Sequence, residues 1–176
     1  MAISCKLNSD LLKGDSCGYV LQSVTNIYLA NASEVTFAKA EADDYAVTGV
    51  TGGEWFHIEP AKNTASFTDV LNVTDAGNKY RTHTLSFSVT GVYSDELQSA
   101  LDQLSLGSYV AFAQFASGDA VLLGSPSAGL EATVVTNTGS ASASEASGIS
   151  VEMSADLTNS AYAFSKDEME AIVKKA

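Results

Sequence analysis

From Arg81 to Val89 the chain alternates without a break: Arg81, His83, Leu85, Phe87 and Val89 fall on one side, Thr82, Thr84, Ser86 and Ser88 on the other. A period of two is that of a half-buried strand, with one face toward a core and the other toward water. Just beyond, the period changes. Gly91 breaks the strand, Ser94 is placed to cap a helix, and Asp95 and Glu96 in the first turn suit the positive end of the helix dipole. Leu97, Ala100, Leu101 and Leu104 recur at helical spacing and give one apolar stripe to lay on the sheet around Arg81 to Val89, and Gly107 stands where a left-handed cap ends a helix. Two short apolar runs, Ser108 to Ala116 and Ala120 to Gly124, joined by Ser117, Gly118 and Asp119, then spell a hairpin.

With 176 residues the chain is long enough for one core of ordinary size, and no linker rich in Pro or charge divides it. We read residues 1–18 as an irregular N-terminal arm, 19–163 as a single β-rich domain and 164–176 as a C-terminal helix. Hydrophobic residues make up 45%, enough for a packed core, and 13 Gly against 2 Pro fit many strands joined by small turns. The balance is acidic: 21 Asp and Glu against 9 Lys and Arg give a net charge of -12. Such a chain repels phosphate, which argues against binding nucleic acid by neutralising its backbone. Cys5 and Cys17 have no metal-ligand spacing around them and read as two free thiols rather than a bridge. Met1 to Asp10 lacks a basic segment followed by an apolar core, and no apolar run approaches the length that spans a bilayer, so a soluble chain made in the cytosol is expected.

Tyr19 to Ala30 reads as a strand, followed by a turn at Asn31, Ala32 and Ser33 and a second strand from Glu34 to Ala38, placed to pair with the first. After a polar link, Lys39 to Asp44, the runs Tyr45 to Thr51 and Glu54 to Glu59 flank Gly52 and Gly53 as a tight hairpin would. Thr64 to Thr74 is a strand joined by Asp75 to Asn78 to the alternating one, so the two are expected to be antiparallel neighbours. Leu130 to Asn137 and Ile149 to Ala155 are strands on either side of Thr138 to Gly148, a segment too small and polar to bury anything. Ser165 to Lys175 reads as a helix with a capping box of Ser165 and Glu168 and an apolar side of Met169, Ile172 and Val173.

Little in this pattern carries chemistry. His83 shares a face with Leu85 and Phe87 and reads as a strand residue at the core edge rather than a general base; His57, after Trp55 and Phe56, reads as packed. No nucleophile elbow, phosphate loop, dinucleotide fingerprint or EF-hand loop is present. Trp55, Phe56 and Tyr45 offer an aromatic platform for a sugar or, more simply, core side chains.

The ordered pieces "FTDVLNVTDAGNKYRTHTLSFSVTG", "SDELQSALDQLSLG", "SYVAFAQFASGDAVLLG" and "GLEATVVTNTGSASASEASGISVEMSAD" together resemble the major tail, or tail tube, proteins of tailed bacteriophages and prophages, in particular those of Bacteroidetes hosts. The likeness covers Phe67 to Asp156 and consists of ordered elements, not a catalytic signature. It implies a mainly β fold, an antiparallel β-sandwich or half-barrel with one flanking α-helix beside the short C-terminal one. It also implies hexameric rings of this chain stacked into a virion tail tube, made in the host cytoplasm and joined to other tail proteins. DNA passes through the tube without specific binding, and no enzyme activity, cofactor, metal or membrane is implied. An acidic lumen suits that passage, with Glu41, Asp43, Asp44, Asp69 and Asp75 as candidate lining residues. The loop residues Gly139, Ser140, Ser142, Ser144 and Glu145, and the N-terminal arm, are candidate assembly contacts. A soluble β-sandwich binding carbohydrate, and another viral structural protein such as a tail terminator or head decoration, remain as alternatives.

Overall fold

The computed structural model describes residues 23–40, 43–90, 94–139 and 148–174. Along them run β1 (Val24–Asn31), a 3-10 turn (Ala32–Glu34), β2 (Val35–Ala40), β3 (Asp43–Gly52), β4 (Phe56–Ile58), β5 (Ser66–Val73) and β6 (Lys79–Val89). Then come α1 (Asp95–Leu106), β7 (Ser108–Phe115), β8 (Ala120–Leu123), β9 (Leu130–Thr138), β10 (Gly148–Leu157), β11 (Tyr162–Phe164) and α2 (Lys166–Val173). The fold is mainly antiparallel β, a large sheet and a small two-stranded one with two helices, in keeping with the sandwich or half-barrel expected.

β7 is the strand from which the large sheet divides. β1 pairs along one of its edges, while the other edge takes β8 at Ala111 to Gln114 and β9 only at Ser108 and Tyr109. Two wings result: β4-β1-β7-β8-β11, and β9-β10-β6-β5. They face each other across a first core, in which Ile27, Leu29, Ala111, Ala113 and Leu123 of one wing meet Leu85, Phe87, Val151 and Met153 of the other. Phe67 of β5 reaches Phe115 of β7, ring centroids 5.8 Å apart. The opposite face of the first wing, through Ala30, Val110, Phe112 and Leu122, forms a second core with the root of the β2–β3 hairpin, Trp55, Phe164 and Met169 of α2. With a core on each side, β7 is buried from Tyr109 to Gln114 without alternation, as strands covered on both faces are. Burying each large side chain here contributes about 1.5–3 kcal/mol.

The helices carry their expected caps. Ser94 Oγ accepts the backbone N–H of Leu97 at the start of α1. In α2 the backbone N–H of Ser165 donates to the Glu168 carboxylate at 3.0 Å, closing the capping box. The Ser165 hydroxyl, which also donates to this carboxylate, and then that backbone bond lower the Glu168 pKa from its usual value. Leu101 is buried and Leu97 and Leu104 are partly buried in the first core, but Ala100 is exposed. α1 lies on that sheet as expected, packed beside β9, with Leu101 in one cluster with Leu85 and Phe87 of β6.

Three local expectations are corrected. β1 does not pair with β2: β7 and β4 occupy both of its edges, and the 3-10 turn carries the chain into a separate hairpin of β2 with β3. That hairpin takes up most of the residues expected as a polar link. Gly52 and Gly53 do not join a hairpin either. Both have positive φ, 81° and 76°, and a Cβ on Gly52 would lie 2.6 Å from the Glu34 carbonyl oxygen, so the pair turns the chain close past the 3-10 turn toward β4. Gly107, with φ -91° and ψ 169°, is extended rather than left-handed. Its lack of a side chain serves Tyr109, whose hydroxyl donates to the Gln103 carbonyl at 2.8 Å across a space that a Cβ would enter. The short strand β11 escaped the sequence reading: three residues are too few to show a period.

Candidate assembly surfaces

The wing β9-β10-β6-β5 has one face on the first core, and among the described residues no element packs on the other. Pairing in register places Thr82, Thr84, Ser86 and Ser88 of β6 beside Ser150, Glu152, Ser154 and Asp156 of β10 on that outer face. Hydroxyl rungs tie it together: Thr82 donates to Asp156 at 2.6 Å, Asn72 of β5 donates to Thr82 at 2.8 Å, and Ser88 and Ser150 lie 2.9 Å apart. Glu131, Glu152 and Asp156 carry its charge. Among the described residues no lysine or arginine lies on this face, since Lys79 and Arg81 fall on the other side of the β6 alternation.

The same wing ends in two free edges. β5 pairs only with β6, and beyond Glu131 β9 pairs only with β10, among the described residues. Each edge shows apolar side chains: Val70, Leu71 and Val73 on β5, Val134 and Val135 on β9. Unpaired N–H and C=O groups beside exposed aliphatic residues are what a further strand adds to.

The acids singled out from the sequence are scattered. Asp69 is tied into the fold: its carboxylate accepts Arg81 Nη1 at 2.9 Å and the backbone N–H of Ala161 at 2.9 Å. Asp75 is exposed in the β5–β6 turn, Asp43 and Asp44 begin β3 with side chains outside the described ones, and Glu41 lies outside the described residues. Glu131, Glu152 and Asp156 were missed, though Glu152 and Asp156 sit at every second place between the apolar residues of β10. Of the proposed assembly loop, Gly139 is exposed at the end of β9; Ser140, Ser142, Ser144 and Glu145, like the N-terminal arm with Cys5 and Cys17, fall outside the described residues.

The two histidines differ. His83 is buried; its Nε2–H donates to the Asn159 carbonyl at 3.1 Å and its Nδ1 accepts the Gly124 N–H at 3.3 Å. Both ring nitrogens are thus used by backbone, and burial pushes its pKa down despite the nearby Asp69 carboxylate, so it is a structural residue held neutral. His57, contrary to the packed reading, is exposed on β4 and stacks on Tyr28 with centroids 4.9 Å apart. Trp55 packs on Phe112 in the second core while Phe56 is exposed, so these neighbours do not share a platform. A cleft of about 400 Å³ lies between the Pro126 to Gly129 loop and the end of β10. Among the described residues no cluster of His, Cys, Asp and Glu is arranged to hold a metal, and no helix is long and apolar enough to cross a membrane. Comparison with protein-family models, curated proteins and solved structures found no match.

Proposed function

We propose that the protein is a structural subunit of a virion tail tube, assembled from rings of this chain stacked into a hollow cylinder through which DNA passes. The observation that carries the reading is the wing β9-β10-β6-β5: among the described residues it is an antiparallel sheet with the β5 edge free, the β9 edge free beyond Glu131, one face uncovered, and no cation on that face. Three successive antiparallel pairings make β5 run opposite to β9. Copies related by rotation about an axis along the strands therefore meet edge to edge in antiparallel register, and every copy turns the same face inward. That face must be the hydroxyl and carboxylate one, because the other is filled by the first core.

Strand spacing is compatible with the ring of six that the resemblance implies. About six copies of such a four-stranded wing, at about 4.8 Å per strand, close into a cylinder roughly 115 Å round and about 37 Å across, wide enough for a DNA duplex, whereas three copies would not be. Glu131, Glu152 and Asp156 then line the bore, where their carboxylates repel phosphate and leave the duplex free to slide. The role needs no catalysis. The test is charge reversal: tubes carrying Glu131→Lys and Glu152→Lys should assemble and retain a short DNA duplex at low salt, releasing it as salt rises, while wild-type tubes retain none. Wild-type tubes that hold the duplex as tightly as the variant would contradict the reading.

A further inference from the structure

Level within the wing can be followed along the register. Val134 of β9 lies opposite Glu152, Glu152 opposite Ser86 and Ser86 opposite Ser66, so Val134 is level with Ser66, the first residue of β5. With strands parallel to the ring axis, each residue of β5 would meet its own level on β9 of the next copy. β9 is free only beyond Glu131, which is level with Thr68, so Ser66 and Phe67 alone on β5 would find a free partner. A fuller contact needs the two edges to be shifted. The shift must be an even number of residues, since an odd one would turn core-facing side chains into the bore. It must also run toward Thr138, because the other direction brings β5 against Leu130 and Glu131, which β7 already holds.

We infer that β5 of each copy pairs with β9 of the next four residues off level, from Ser66 opposite Thr138 to Val70 opposite Val134, and that the strands lean from the ring axis accordingly. The register rests on the ring reading above and adds what sets the tilt. Val70 and Val134 are the two large apolar side chains exposed on the bore face among the described residues, each 49% exposed, and this shift sets one against the other. A shift of two would leave Val134 opposite Thr68, and a shift of six opposite Asn72. Four residues at about 3.4 Å against four strands at about 4.8 Å give a lean of about 35°, within the range of closed sheets, whereas two residues give only about 20°. The hand agrees as well. Ser88, on the bore face, turns its backbone toward β5: its carbonyl accepts the Ala61 N–H and its N–H donates to Thr64 Oγ1. For an L residue this puts β5 to the right of β6 when seen from the bore with β6 running upward. The shift toward Thr138 then inclines the strands in the right-handed sense that strand twist gives a closed sheet. The lean widens the ring of six to about 45 Å across.

Backbone directions fix the kind of pair. By the alternation from Ser88, Val70 and Thr82 bond each other, and the Glu152 carbonyl, which accepts the Thr133 hydroxyl, points to β9, so Val134 bonds β10. Neither valine spends its N–H or C=O on the free edge. They therefore meet between copies as a non-hydrogen-bonded pair, Cα atoms about 4.5 Å apart, the spacing at which cross-strand side chains are closest.

Cysteine pairs in the full chain test this. Val70→Cys with Val134→Cys, assembled and mildly oxidised, should run as covalent multimers on a non-reducing gel. Mass spectrometry of the digest identifies positions 70 and 134 as the joined ones, since Cys5 and Cys17 are present too. β5 and β9 of one copy are three strand spacings apart, about 14 Å, so that disulfide forms only between copies. Ser66→Cys with Val134→Cys, the level pair, and Asn72→Cys with Val134→Cys should assemble but give no such link. Tubes in which the 70 and 134 pair fails to join, or in which either of the other pairs joins instead, would overturn the register and leave the ring reading standing. A wild-type chain that remains monomeric at every concentration would overturn both.

Discussion

Nδ1 of His83 accepts the backbone N–H of Gly124 at 3.3 Å, across the seam where β6 of one wing faces the end of β8 in the other. The same ring donates from Nε2 to Asn159, so one neutral imidazole bonds the chain leaving β8 and the chain leaving β10. Protonation would put an N–H on Nδ1, facing the N–H of Gly124, and break that bond. The charged groups acting on the ring are Asp69 from β5 and Arg81 from its own strand.

Burial lowers the pKa of His83 below the ordinary imidazole value of about 6.5, so the unfolded chain takes up the proton more readily than the folded one. The stability it contributes is therefore complete above about pH 6.5 and falls away as the pH drops through the depressed folded value. Urea unfolding should show lower stability at pH 5.5 than at pH 7.5, and the step should shrink in His83→Asn. A wild-type stability that is flat across that interval would contradict the neutral assignment.

Asp69 ties together three segments, accepting from Arg81 and Ala161 beneath a side chain only 16% exposed. Asp69→Ala leaves the Ala161 N–H and the Arg81 guanidinium without their acceptor and should cost about 1–3 kcal/mol in denaturant unfolding. Asp69→Asn, which keeps an acceptor but not the charge, should cost less. It should also lower the His83 pKa further, a shift visible by NMR titration, because the carboxylate is the main influence raising it.

Leu101 is the α1 side chain that enters the first core, beside β9. Leu101→Ala should cost about 2–5 kcal/mol, the usual penalty for emptying a buried leucine site. Ala100 and Leu106 on the same helix are exposed, and substitutions there should leave the thermal melt of the monomer within a degree or two. A melt unchanged by Leu101→Ala would show that α1 does not close the core.

What was legible from residues alone follows from period and punctuation. The alternation of β6, the Ser94 and Ser165 caps and the β7–β8 hairpin are local signals, and each is where it was expected. Partners were harder to read. β1 ends in the turn-like triplet Asn31, Ala32 and Ser33, yet β2 leaves it because β7, some eighty residues later, holds the edge that a hairpin partner would have used. Gly52 and Gly53 looked like a turn between paired strands because positive φ is needed there; which strands they separate depends on the close approach of Glu34. The uncovered face was half visible: Thr82 to Ser88 announce a polar side, but only the register with β10 brings Glu152 and Asp156 beside them. Asp69 attracted notice for its charge, and the fold uses that charge internally.

Electron microscopy of the purified protein at a resolution that separates strands tests the central claim most directly. Rings in which β5 of each copy pairs antiparallel with β9 of the next, with Thr84, Ser86 and Glu152 turned to the bore, are the expected result. Particles that remain monomeric, or rings whose bore is lined by another surface with the Thr84 to Glu152 face outside, would contradict it.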